Sequence, residues 1–222
     1  MTALAGLVDG LGTGQALPDR PDPALDVYLD AAEEAVARFG WAKLSPNDIA
    51  RITGVERTTV YRHLGPKRDI LALVIAREVH RLIGHATRAA ATMPPGPHAV
   101  VEIVASAVEY AAASPALTSL ISQDDPALLV SFFTTGVGAV IDRFVDALAP
   151  VVQLGTTAGV IAERNPRVVV DWAVRIGLSL FAHPPASPIR PFLAEVLVPL
   201  LTPSTLHTPP IAPSSNPDQE LS

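Results

Sequence analysis

The sequence predicts an all-α protein. Three observations carry that expectation. Apolar residues recur at i, i+3, i+4 and i+7, as one face of a helix requires. Pro and Gly punctuate the chain at helix-length intervals, several times behind a helix-starting residue. The Val-rich runs keep helical spacing and are too long for strands.

Residues 1–23 are rich in Gly and Pro without a clear period, and read as a mobile arm. The first stripe is Leu25, Tyr28, Leu29, Ala32, Val36 and Phe39, and Gly40 ends that helix. Ser45-Pro46 reads as the next start. Ser is a capping residue, and Pro is tolerated in the first turn because its missing N–H would be unpaired there. That helix runs from Asn47 to about Thr53 and stops at Gly54. A short helix follows at roughly Arg57 to Leu64, and Gly65-Pro66 separates it from a long one reaching about Ala91. The segment MPPGP at 93–97 is a clear break. Further helices are expected at 98–113, 115–122, 126–149, 166–182 and 188–201, the last two opening at Asn165-Pro166 and Ser187-Pro188. Asp124-Asp125, just before Pro126, reads as a helix cap. The tail at 203–222, rich in Pro, Ser and Thr, reads as disordered. There is no internal repeat.

Bulk composition narrows the function classes. The chain is 49% hydrophobic and 17% charged, with a net charge of −6 and a mean hydropathy of +0.33. Such hydropathy implies a membrane segment, a large buried interface or an apolar cavity. The longest uncharged apolar run in the centre, Pro126 to Ile141, is sixteen residues long and interrupted by Gly136 and Gly138. A spanning helix needs about 20 residues. The run near Trp172 is broken by Asp171 and Arg175. No membrane span is therefore expected, and the excess hydrophobicity is assigned to an oligomer interface, a cavity or both. The absence of cysteine excludes disulfides and thiolate chemistry. No basic residue precedes Arg20, so the charged start of a signal peptide is missing and a cytoplasmic location is expected. His80 and His85 are five apart, off the spacing of a helical metal pair, and read as solvated or core residues. No phosphate loop, nucleophile elbow or metal motif appears, so neither an enzyme nor a cofactor is expected.

Charge is unevenly placed. Residues 24–92 hold ten Lys or Arg against eight Asp or Glu, whereas 43–68 hold six against two. A basic surface concentrated on one small unit of an acidic chain is the distribution expected for DNA binding. The two short helices joined through Thr53-Gly54-Val55-Glu56 make a helix-turn-helix, whose second helix would enter the major groove. Ile49, Ala50, Val55, Val60 and Leu64 supply the apolar side between them. Arg57, Thr58, Thr59, Tyr61, Arg62 and His63 remain on the other face. Arg can bond guanine O6 and N7, and a Thr methyl can touch that of thymine. Tyr and His can donate to phosphate. Lys67 adds a full charge to a helix N-terminus that already favours anions.

The stretch LSPNDIARITGVERTTVYRHLGPKRDIL, with LDVYLDAAEEAVARFGWAKLS before it, resembles the DNA-binding domain of the tetracycline-repressor (TetR) family. The resemblance covers about residues 24–75, and its most specific pattern runs from Gly54 to Leu71. It implies a helix-turn-helix domain at 24–84, with the motif at 45–64, and an all-helical ligand-binding and dimerisation domain at 85–202. It also implies that Tyr61, His63 and Lys67 bind phosphate, that Thr59 binds phosphate or a nearby base, and that Arg57, Thr58 and Arg62 read bases. Ser45 would cap the second helix and Asn47 would reach the DNA. Many members have Ser where this chain has Glu56, whose role stays open between cap, dipole partner and filter against wrong bases.

The implied partners are palindromic double-stranded operator DNA, a second copy of the chain and a small hydrophobic or amphipathic effector. The function is then that of a ligand-released regulator, a repressor by expectation. The last two helices, apolar all round, would form the dimer interface, with Arg175 and Glu195 pairing there or at its rim. Phe132, Phe133, Phe144, Trp172 and Phe181 read mainly as core, some lining a cavity. Glu109, Tyr110 and Asp142 interrupt apolar helices and are the polar candidates to face it. Two rival readings are an all-helical carrier of hydrophobic ligands and a protein-binding adaptor without specific DNA binding.

Overall fold

The computed structural model describes residues 21–121 and 136–204. Phe132, Phe133, Asp124-Asp125, most of the expected N-terminal arm and nearly all of the expected tail lie outside the described residues. Among the described residues there are nine α-helices and no strand. They are α1 Asp26–Lys43, α2 Pro46–Thr53, α3 Arg57–Leu64, α4 Lys67–Ala90, α5 Pro97–Ala113, α6 Pro115–Thr118, α7 Val137–Thr157, α8 Pro166–Ala182 and α9 Ile189–Leu201. A 3-10 turn at Pro23–Leu25 leads into α1, its first N–H held by Asp22.

Gly40 does interrupt the first helix. It sits at φ 74° and ψ 166°, inside what otherwise continues to Lys43. A side chain there would be strained, so the chain turns at this glycine and delivers Trp41 and Leu44 to the core. Gly54 closes α2 in the left-handed conformation, φ 73° and ψ 16°, and its N–H returns to the Ala50 carbonyl. This places α3 across α2, with Ile49, Val60 and Leu64 buried between them and α1.

The core runs without a break from α1 through α4 into α7 and α8. A second cluster joins α5 to α8 and α9 around Val104, Val108, Leu193 and Leu197. The long helix α4 passes through the expected boundary at 84/85. Two expected lengths change. The helix expected at 115–122 closes at Thr118. The helix expected to end at 149 continues through Pro150 to Thr157, because Leu148, Val152 and Gly155 keep burying one face beyond the proline.

α8 and α9 leave large apolar groups in solvent. Val168 (61% exposed) and Trp172 lie on α8. Phe192, Val196 and Leu200 lie four residues apart on one stripe of α9, 45 to 57% exposed. Arg175 pairs with Asp171 one turn earlier, at 2.8 Å, rather than with Glu195, which is exposed. Spacing at i,i+4 makes the local partner the cheaper one to hold.

Candidate functional site

α2 and α3 form two arms of a helix-turn-helix, and α3 presents the expected basic and aromatic face. Arg57, Thr58, Tyr61, Arg62 and His63 are all exposed, while Thr59 is half-buried. The face is partly organised by its own contacts. Arg57 donates to the Tyr61 hydroxyl at 3.1 Å, and its guanidinium lies 5.1 Å from that ring's centre. Cation–π contact of this kind favours one arrangement of two long side chains. The His63 ring stacks on Tyr28 of α1, with centres 4.9 Å apart and planes 18° apart. Tyr28 was assigned only to the apolar stripe of its helix. Its position opposite the last turn of α3 is tertiary and has no sequence signal.

Ser45 and Lys67 make contacts other than the expected ones, and Glu56, whose role was open, makes no cap. Ser45 occupies the N-cap position of α2 but its side chain makes no cap. Its hydroxyl instead donates to the Asp48 carboxylate at 2.6 Å, a charge-assisted bond that fixes the side chain toward Asp48. That bond, followed by Arg51, holds the Asp48 carboxyl below its ordinary range. Lys67 stands at the start of α4, as expected, yet its ammonium donates to the Ala42 carbonyl at 2.8 Å. It thereby ties α4 to the turn after Gly40. Glu56 holds the N-cap position of α3 without capping it, and takes a 3.3 Å bond from the Thr58 hydroxyl. Asn47 is exposed in the first turn of α2.

A second feature lies among α4, α5, α6, α7 and α8. It is a narrow cavity of about 120 Å³, lined by apolar side chains including Val79, Leu117, Leu120, Phe144 and Phe181. The polar candidates do not line it. Glu109 is exposed and paired, with Glu102, to Arg190 of α9. Asp142 and Trp172 are exposed, and Phe133 lies outside the described residues. Glu102 and Glu109 are seven apart, so they share one outward stripe of α5. A polar break in an apolar helix marks its solvent side before it marks a ligand site.

Tyr110 faces another groove, with Glu33, Glu34, Glu78, Arg81 and Ser114. Its ring lies 5.3 Å from that of His85, and burial, then the Glu78 charge, raises its hydroxyl's pKa. Beneath this groove is a buried polar network that sequence reasoning missed. Arg77 (4% exposed) bonds Glu33 and pairs with Asp30 of α1. Glu78 (3%) accepts from Ser114 and pairs with Arg81. Nearby, the buried Trp41 indole donates to the Ala116 carbonyl at 3.0 Å. Ser114 and Ala116 thus tie α6 to α4 and to the turn after Gly40, while Leu117 and Leu120 of the same segment line the cavity.

Comparison with known proteins places this arrangement in context. No family model matches the chain. It is 29% identical over 205 residues to an uncharacterized HTH-type transcriptional regulator of Mycobacterium tuberculosis, covering 87% of this chain and 93% of that protein. Its fold resembles that of the TetR-family repressor AlkX from a Dietzia strain, with a TM-score of 0.56 at 23% identity, over 81% of this chain and 100% of the other. It also resembles the fatty acid degradation regulator FadR of Bacillus halodurans, with a TM-score of 0.61 at 17% identity, over 84% and 97%. FadR of Bacillus subtilis, solved with stearoyl-CoA, gives 0.59 at 16% identity, over 79% and 98%.

Proposed function

We propose that the chain is a helix-turn-helix transcriptional regulator of the TetR family, a homodimeric repressor released from palindromic operator DNA by a hydrophobic or amphipathic effector. The observation that carries the proposal is the exposed face of α3. Five DNA-competent side chains stand together on eight residues whose other side is locked into the core.

In this reading residues 24–84 contact DNA and 85–202 bind the effector and the second copy. Arg57, Thr58 and Arg62 read bases, and Tyr61, His63, Thr59 and Asn47 position the helix on phosphate. Lys67 adds its charge to the α4 N-terminus while holding the Ala42 carbonyl. Two α3 helices enter successive major grooves, about 34 Å apart along the duplex. The exposed stripes of α8 and α9 support the dimer, since each needs an apolar cover and a two-fold axis supplies one.

The apolar cavity supports the class of effector, as does the acyl-CoA bound by a structural neighbour of the same fold. At about 120 Å³ the cavity must widen to admit a chain of that kind. Widening displaces Leu117 and Leu120, and with them Ser114 and Ala116, which are bonded to Glu78 and Trp41. The effector acts only as far as it binds the displaced state better than the DNA-bound state.

Genomic footprinting with the purified protein tests the reading. Discrete palindromic sites are expected, with binding that falls steeply as salt rises and counterion release weakens. Uniform coverage without such sites would sink it.

A further inference from the structure

We propose that Glu56 is a base-reading residue, selecting cytosine at one position in each half of the operator. This rests on the reading of α3 as the helix that enters the groove. Glu56 is the N-cap of α3, in extended conformation at φ −70° and ψ 147°. The N-terminal residues of a recognition helix are those that reach base edges.

Nothing inside the protein uses this carboxylate fully. It is exposed and makes no capping bond. Among the described residues its hydrogen bond is the long one from Thr58, on the same outward face. That bond is too weak to hold the side chain against a better donor, but it keeps the carboxylate on the side that meets DNA.

A carboxylate placed there is repelled by every phosphate. Its favourable partners on a duplex are the exocyclic amino groups in the major groove, on cytosine N4 and adenine N6. Adenine sets its N7 acceptor beside that amino group, which repels the second carboxylate oxygen. Guanine and thymine offer only acceptors at this edge. Cytosine alone offers a donor with no acceptor of its own beside it. Arg57, the next residue, supplies the donors that guanine O6 and N7 require.

The test is selection of sites from a random duplex library, followed by affinity measurements on single-base variants, for the wild type, Glu56→Ala and Glu56→Gln. The wild type should prefer cytosine at one symmetric position by roughly 5- to 100-fold. Glu56→Ala should level that position, leave the others, and tighten binding to random DNA. Glu56→Gln should move the preference toward adenine, whose N6 and N7 suit an amide. An identical base profile for the wild type and both variants would overturn the proposal while leaving the DNA-binding reading intact. A wild type that enriches no sequence would overturn both.

Discussion

Ser114→Ala is the perturbation that most directly probes the junction between α4 and α6. Ser114 is 9% exposed and its partner Glu78 only 3%. Its hydroxyl donates to the Glu78 carboxylate at 2.5 Å and accepts from the Leu117 N–H at 3.3 Å, capping α6. A hydrogen bond to a charged partner contributes about 1.5–3 kcal/mol. Loss of a serine cap costs about 0.5–2 kcal/mol. Glu78 keeps Arg81 at 2.9 Å, so its charge is not left bare and the lower half of each range applies. The expected loss is about 2–3.5 kcal/mol in all. Urea denaturation measures it, at one protein concentration because subunit association moves the midpoint. A double-mutant cycle with Glu78→Gln isolates the pair, with an expected coupling of about 1–2 kcal/mol. A loss under about 0.5 kcal/mol, the level of an ordinary surface change, together with zero coupling, would refute the reasoning.

Val196→Glu places a charge on the exposed stripe of α9. Half-burial of a valine contributes about 1 kcal/mol and a two-fold axis doubles it, so the dimer dissociation constant should rise at least ~30-fold by sedimentation. An unchanged dimer would remove α9 from the interface. Gly54→Ala meets open space but a φ of +73°, so strain alone should cost about 1–2 kcal/mol of stability, read by thermal melting. Glu102 is held below its ordinary pKa by hydrogen bonds from Arg190. A lowered folded value means the stability it contributes is complete above the ordinary carboxylate range and is lost as pH falls through that lowered value. Glu102→Gln should therefore flatten the decline in denaturation midpoint on acidification, whereas an unchanged slope would show the pair contributes nothing.

Much of this fold was legible because its helices are punctuated by Pro and Gly. α3 begins and ends where the spacing predicted, since Gly54 and Gly65 both take positive φ and only glycine adopts it freely. The basic face of α3 was legible for the same reason, because on eight residues the apolar side leaves one alternative side. What was not legible is tertiary. Pro150 looks like a terminator, yet α7 runs on, because its buried stripe offsets one missing hydrogen bond. No local pattern marks Arg77 and Glu78 for burial, which depends on Glu33 and Ser114 arriving from distant segments. Glu109 and Asp142 interrupt apolar helices, which made them candidates to face the cavity, but both stand on the exposed side of their helices.

The two tryptophans of the chain sit in opposite environments. Trp172 is solvent-facing on α8, whereas Trp41 is 2% exposed with its indole bonded across to α6. Indole emission moves to longer wavelength when the ring meets water. The molecule therefore carries its own optical reporter at the joint between the end of α1 and the cavity wall. Replacing Trp172 with Phe would leave a single fluorophore whose colour reports how much water meets that joint, without any attached dye.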